Sequence, residues 1–278
     1  RINPKIVYLS ISGFGQDGPY SRRPALDIVV QAMGGIMSVT GEPGSPPVRP
    51  GVSIGDSLAG TFAALSIVTA LYQRSIDGRG QYIDMSMLDC QLTLMENAFA
   101  RYFASGKNPS PLGSRHPSAA PFQAFKARDG YFVVGLLTDS NERWNNFCDA
   151  IDLPDLKADP LFQSNLSRSE NVEALVFHLS KRFSLMPVKY WLQVLSVANV
   201  PCGPVNDVQT VTLDPQVEHR NMIRRINQSG KPWQVANTPF RFSNATTGPL
   251  GSSPDLGEHT EALLRAMLNI SDNDLNDL

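Results

Sequence analysis

The sequence predicts an α/β fold, a larger parallel-sheet domain followed by a smaller α+β domain. Three features carry the prediction. Ile6-Val7-Tyr8-Leu9-Ser10-Ile11 is a near-continuous apolar run, the mark of a strand covered on both faces in a parallel sheet. From there to Phe103 the segments alternate strand, helix, helix, strand, helix, the grammar of α/β units. Beyond a Gly-, Pro- and Ser-rich stretch at Ser105–Ala120, a hairpin signal opens a differently patterned unit.

The first strand ends at Gly13-Phe14-Gly15-Gln16-Asp17-Gly18-Pro19. Ligands of open α/β sheets bind beyond the carboxyl ends of strands, so this is a candidate ligand loop. Its G-x-G-x-x-G spacing is a weak dinucleotide signal. Pro19 and the polar Tyr20–Arg23 follow it instead of a helix, and no strand with a terminal acid comes next. Ala25–Met37 reads as a short helix on Leu26, Val29, Val30, Met33 and Met37, and Gly41–Pro50 as a proline-rich loop containing Arg49.

Gly51–Gly60 then leads into a long apolar helix. Leu58, Phe62, Leu65, Val68 and Tyr72 form a stripe three or four residues apart, which predicts a buried face, and Asp77-Gly78 supplies the stop. Asp56 falls at the start of this helix, where N–H groups point outward and the dipole favours negative charge. From position alone it reads first as a helix cap. Gly55 before it leaves room for a ligand, however. Ser57, Ala59 and Gly60 after it are poorer choices than a helix selected for stability alone would make.

Gln81–Met87 alternates as a strand, and Leu88–Phe103 reads as a helix on Leu92, Met95, Phe99 and Phe103. Ser105–Ala120, with Lys107, Arg115 and His116, reads as a linker. Phe122–Ala127 and Tyr131–Leu136 flank Arg128-Asp129-Gly130 as a hairpin. Asp139-x-x-Glu142 predicts a capping box, and helices follow at Ser169–Phe183 and Pro187–Ala198, with a small strand at Val200–Val205. From about Gly230 the chain reads as loop until terminal helices at Gly257–Leu268 and Ser271–Leu278, expected to pack back on the first domain. The expected domains are 1–104 (large), 105–120 (linker), 121–226 (small α+β) and 227–278 (return linker and terminal helices).

The chain has 278 residues, 42% hydrophobic and 18% charged, an ordinary globular composition. A net charge of −2 gives no electrostatic case for nucleic acid or an anionic membrane. No apolar run approaches the roughly 20 residues of a bilayer span, since Thr61–Leu71 is short and contains Thr and Ser. Cys90, Cys148 and Cys202 are odd in number and far apart, which argues against disulfides or a metal site and for buried thiols in a reducing cytoplasm. The chain opens with Arg1 directly on a strand-like segment, which predicts a missing N-terminal piece.

Seven landmarks in order resemble class III CoA-transferases, the formyl-CoA and carnitinyl-CoA transferase type. They are Ser10–Gly15, Asp27 with Gln31–Gly35, Gly55-Asp56, Gly78–Gln81, Pro121–Phe125, Val200–Val205 and Leu256–Thr260. The resemblance implies a Rossmann-like large domain, a small α+β domain, and two subunits threaded as interlocked rings. It implies that an N-terminal βα portion holding much of the CoA site is absent here. The family's nucleophilic aspartate matches Asp56, and its strand-end CoA contacts match Ser12, Gly13, Phe14 and Gly15. Coenzyme A enters as a substrate, with no permanently bound cofactor and no metal. Some formyl-CoA enzymes carry a glycine-run lid; Gly113-Ser114-Arg115-His116 lacks it, which counts against formyl-CoA and oxalate. The run Pro47–Val52 is similar to members using succinyl-CoA and dicarboxylic acids, for which Arg49, Arg115 or His116 can anchor a second carboxylate.

An isolated carboxylate suits this chemistry. An ordinary aspartate, with a pKa of about 3.9, needs no general base to be anionic at neutral pH. That accounts for the lack of a Ser-His-Asp or Cys-His arrangement. N–H groups at the start of the Ser57 helix or in the Gly13–Gly18 loop are expected to stabilise oxyanions. The alternatives are an α-methylacyl-CoA racemase and a non-catalytic truncated core in which Asp56 only caps. The racemases place a His before the aspartate matching Asp27, where this chain has Leu26.

Overall fold

The computed structural model describes residues 2–228, 230–249, 251–268, 270–271 and 275. It divides into two compact units, Arg1–Pro204 and Val205–Leu278.

The first unit opens with β1 (Tyr8–Ser12), which pairs in parallel with β2 (Tyr82–Ser86), Tyr8 against Tyr82 and Ser12 against Ser86. Between them lie α1 (Asp27–Met33), α2 (Ile36–Val39) and α3 (Ile54–Asp77). The single helix expected over Ala25–Met37 is thus broken, at Gly34-Gly35, where Gly35 takes a left-handed φ of 86°. After β2 come α4 (Met87–Thr93) and α5 (Glu96–Ser105), again a break in one expected helix.

A helix joining two parallel strands must run antiparallel to them, and the contacts bear this out. Arg74 in the last turn of α3 donates to the Lys5 carbonyl just before β1 (3.0 Å). Gly80 lies so close to Ile6 that a Cβ there would stand 1.8 Å from the Ile6 oxygen, so only glycine fits. The start of α3 therefore sits at the carboxyl ends of β1 and β2, the end at which α/β sheets bind ligands.

Two expectations about α3 fail. Its buried face is Gly55, Ala59, Ala63 and Ala70, whereas Leu65, Val68 and Tyr72 of the predicted inner stripe are 60%, 64% and 70% exposed. Small residues let α3 approach α1 and α4 closely, and that contact turns the large side chains outward. The helix is also longer than its apolar centre suggested. It is 24 residues long, an 18-residue stretch of it has a mean hydropathy of 1.5, and by length and composition alone it is long and apolar enough to cross a membrane. It serves here as the connection between paired strands. Similarly β1 is not covered on both faces: Ile6, Tyr8 and Ile11 are exposed.

The main core lies further along this unit. β3 (Phe122–Lys126), β4 (Tyr131–Gly135) and β5 (Cys202–Pro204) form an antiparallel sheet in the order β3-β4-β5. Around it stand α6 (Asn141–Ala150), α7 (Asn165–Glu170), α8 (Val172–Phe183) and α9 (Val188–Val197). Phe183 sits edge-on to Phe125, Phe132 and Trp191, each with ring centroids 5.0 Å away, and all four are buried. Burying each such ring stabilises the fold by about 1.5–3 kcal/mol. The cap of α6 differs from expectation: Ser140 accepts from the Arg143 N–H, while Asp139 accepts from the Asn165 N–H. Pro187 is the residue before α9, not its first.

The second unit contains α10 (Val208–Thr212), α11 (Pro215–His219), the antiparallel hairpin β6 (Ile223–Gln228) and β7 (Lys231–Ala236), and α12 (Thr260–Leu268). The hairpin replaces the loop expected from Gly230. The helix expected over Ser271–Leu278 falls largely outside the described residues.

Candidate active site

Asp56 is the third residue of α3, after the N-cap Ser53. Its side chain is exposed and makes no hydrogen bond or ion pair among the described residues. It does not cap the helix.

Asp27, at the start of α1 and 9% exposed, does that instead. Its Oδ1 accepts from the Gly55 N–H (2.9 Å). Its Oδ2 accepts from Gln31 Nε2 (2.7 Å) and from Arg49 Nε and Nη2 (3.2 and 3.1 Å). Burial pushes this carboxyl up, but the Gln31 amide, the Arg49 guanidinium and the Gly55 and Asp56 N–H groups outweigh it and hold the pKa below the usual value. Gly55 is required for the contact, since a Cβ there would stand 2.9 Å from Val30 Cγ2 and 3.1 Å from Asp27 Oδ1. Gln91, fully buried, lies beside the same glycine.

A carboxyl group with a depressed folded pKa stabilises the fold above its unfolded value, and that contribution is lost as pH falls through the folded value. The stability gap between the wild type and Asp27→Asn is therefore expected to be constant from neutral pH down to about 4 and to shrink below it. Urea unfolding at stepped pH checks this; a gap that widens in acid contradicts it.

Ser12 ends β1, and Gly13, Phe14 and Gly15 follow directly on it. Ser12 Oγ accepts from the Gly15 N–H (2.9 Å), the Gly13 carbonyl accepts from the Leu88 N–H (3.0 Å), and Phe14 packs edge-on to Tyr20 at 5.7 Å. Several expected oxyanion donors are occupied. Ser57 N–H goes to the Ser53 carbonyl, Gly55 N–H to Asp27, Gly15 N–H to Ser12, and Gln16 N–H to Asp84 Oδ2 (2.9 Å). The Phe14, Asp17 and Gly18 amides have no partner among the described residues.

The three basic candidates separate. Arg49 is beside the α3 start, bound to Asp27 and, through Nη2, to Ser53 Oγ (3.0 Å). Arg115 pairs with Glu173 (2.6 Å), and His116 packs against Phe122 with ring centroids 4.9 Å apart. Neither of these contacts reaches α3. Burial pushes the thiols of Cys90, Cys148 and Cys202 up, Cys148 to about 12, so none is a nucleophile at neutral pH. No cluster of metal-ligating side chains occurs among the described residues.

A family model described as CoA-transferase family III matches residues 1–260. Acetyl-CoA:oxalate CoA-transferase of Acetobacter aceti is 42% identical over 240 residues, 85% of this chain and 61% of that protein. Succinyl-CoA:glutarate CoA-transferase of Homo sapiens is 34% identical over 280 residues, 100% of this chain and 63% of that protein. The chain thus spans less than two thirds of the length of these curated relatives. The crystal structure of a CAIB/BAIF family protein from Brucella suis matches with a TM-score of 0.81 and 38% identity, over 96% of this chain and 69% of that one.

Proposed function

Since the chain belongs to CoA-transferase family III, we propose that it moves coenzyme A from an acyl-CoA donor to a carboxylic acid, with Asp56 as the nucleophile. The observation that carries this reading is the exposed, unpartnered Asp56 carboxylate at the carboxyl end of the β1–β2 pair.

The Asp56 carboxylate attacks the thioester carbonyl. The C–S bond breaks, leaving a mixed anhydride and CoA thiolate. The thiolate attacks the aspartyl carbonyl, releasing the donor acid and forming an aspartyl-CoA thioester. The acceptor carboxylate attacks that thioester and displaces the thiolate again. The thiolate then attacks the acceptor's acyl carbon, giving the new acyl-CoA and free Asp56. Each step exchanges one activated acyl bond for another, so the cycle closes without ATP or a metal.

Dicarboxylates are the acceptors we infer. The relatives named for oxalate and for glutarate both take one, and Arg49, held on Ser53 at the start of α3, is the basic candidate that could meet a second carboxylate by exchanging partners. The oxalate relative weighs against excluding oxalate on the missing glycine lid. Ser12, Gly13, Phe14 and Gly15 are assigned to CoA, with the unpartnered loop amides as oxyanion donors. The whole assembly inferred is a Rossmann-like large domain with a smaller α+β domain, working as an interlocked homodimer in the cytoplasm. A racemase finds no support: Leu26 is no acid or base, and the Asp27 oxygens are engaged.

The test incubates the full natural chain with acetyl-, succinyl- and formyl-CoA against oxalate, glutarate and monocarboxylates, then quenches with hydroxylamine for mass spectrometry. Transfer to dicarboxylates with a hydroxamate at Asp56 is expected. Modification elsewhere, or α-proton exchange on a 2-methylacyl-CoA without CoA transfer, overturns the reading.

A further inference from the structure

Ser53-Ile54-Gly55-Asp56 has the form of a capping box. In that motif the N-cap serine hydroxyl accepts from the third residue's N–H, and the third residue's acid reaches back to the serine N–H. The motif is self-contained, yet here it is open. Ser53 takes φ −77° and ψ 74°, off the extended backbone usual for an N-cap residue. Ser53 makes no side-chain cap bond; its Oγ accepts from Arg49 instead. The Gly55 N–H is turned to Asp27 Oδ1 (2.9 Å). The Ser53 N–H has no acceptor among the described residues, and neither does the Asp56 side chain have a donor.

The serine half of the box is thus taken by Arg49 from outside it, and the half between the Ser53 N–H and the Asp56 carboxylate is unmade. Asp27, more than twenty positions earlier, supplies the acceptor the helix start requires. Arg49 holds the hydroxyl that would otherwise compete. A carboxylate folded back on its own helix start would have one oxygen tied to an amide, which lowers its basicity and turns it from an incoming thioester. We infer that Asp27, held by Gln31 and Arg49, is a positioning residue that keeps Asp56 out of a capping box with Ser53 and so leaves its carboxylate free to attack. The inference rests on the nucleophile reading of Asp56 proposed above.

Asp27→Ala in the full natural chain tests it, read by turnover and by amide exchange at Ser53. With the outside acceptor gone, the box closes. The turnover number for acyl-CoA is expected to fall about tenfold or more while KM moves less than about threefold. Exchange of the Ser53 N–H is expected to slow, because it gains Asp56 as an acceptor. A residue with a merely structural role would leave that exchange unchanged or speed it. Ser53→Pro in the Asp27→Ala background removes the N–H that Asp56 would fall back on. The Ser53 φ of −77° accommodates proline, and turnover is expected to recover several-fold.

Should Asp27→Ala fail to fold, Asp27→Leu carries the same two readings, since it keeps more of the buried volume and offers Gly55 no acceptor. Unchanged turnover, a Ser53 amide that exchanges no more slowly, or no recovery with proline overturns the inference. Active Asp56→Ala protein overturns the nucleophile reading itself, whatever Asp27 does.

Discussion

Asp56→Ala is expected to reduce CoA transfer by about a thousandfold or more without loss of structure. The two halves of that statement have separate grounds. Asp56 is exposed and makes no side-chain bond among the described residues, so its removal breaks no packing or polar network. Surface changes of this kind shift stability by about 0.5 kcal/mol or less. A small loss of favourable charge at a helix start is offset by alanine's better helix propensity. The catalytic half follows from the chemistry, because without the carboxylate there is no atom to accept the acyl group or, afterwards, coenzyme A. Asp56→Asn should fail equally, since it keeps the shape and loses the anionic nucleophile. Transfer assays beside thermal melts check both halves. Appreciable transfer by either variant rejects the mechanism, whereas a large fall in melting temperature shows that Asp56 holds structure after all.

What could be read from the sequence divides along a physical line. Elements set by near neighbours were legible. The β1 and β2 runs, the Arg128-Asp129-Gly130 turn and the glycine stop of α3 each follow from short-range preferences. The start of α3 was legible as a place, with Asp56 on it. The identity of its cap was not, because the cap comes from Asp27 through the fold. The unused signal was Ser53-x-x-Asp56, a local cap that a nucleophile at that position must not complete. The facing of α3 was misread for a related reason. A helix with both a large apolar stripe and a small-residue stripe can bury either, and close approach by α1 and α4 selects Gly55, Ala59 and Ala63. The β6–β7 hairpin was missed because Ile223–Gln228 carries polar residues on both faces, leaving little alternation to detect.

Arg168 shows the same limit in the part of the first unit that holds the main core, and it supports the largest stability prediction. It lies in the polar run Asn165–Glu170. In the fold it is 1% exposed. Its Nε donates to the Ala120 carbonyl (2.9 Å), Nη1 to Phe162 (2.9 Å) and Nη2 to Thr138, while its guanidinium lies 4.5 Å over the Trp144 ring. Three chain segments thus converge on one planar fork. Asn165, on the same helix, adds bonds to Ser118 and Ala120, so α7 ties down the end of the 105–120 stretch. Arg168→Met roughly keeps the volume but strands three carbonyl acceptors, each costing about 1–3 kcal/mol when unmet. Relief from burying a charge offsets part of this. The net loss is expected to be about 3 kcal/mol or more, read as a lower urea midpoint at unchanged slope. Arg168→Lys should recover only a fraction, because an ammonium is a single point and cannot reach three diverging carbonyls. Full recovery by lysine would mean that charge alone matters there. A neutral Arg168→Met would mean that the carbonyls find other donors, and that the fork does not hold these segments together.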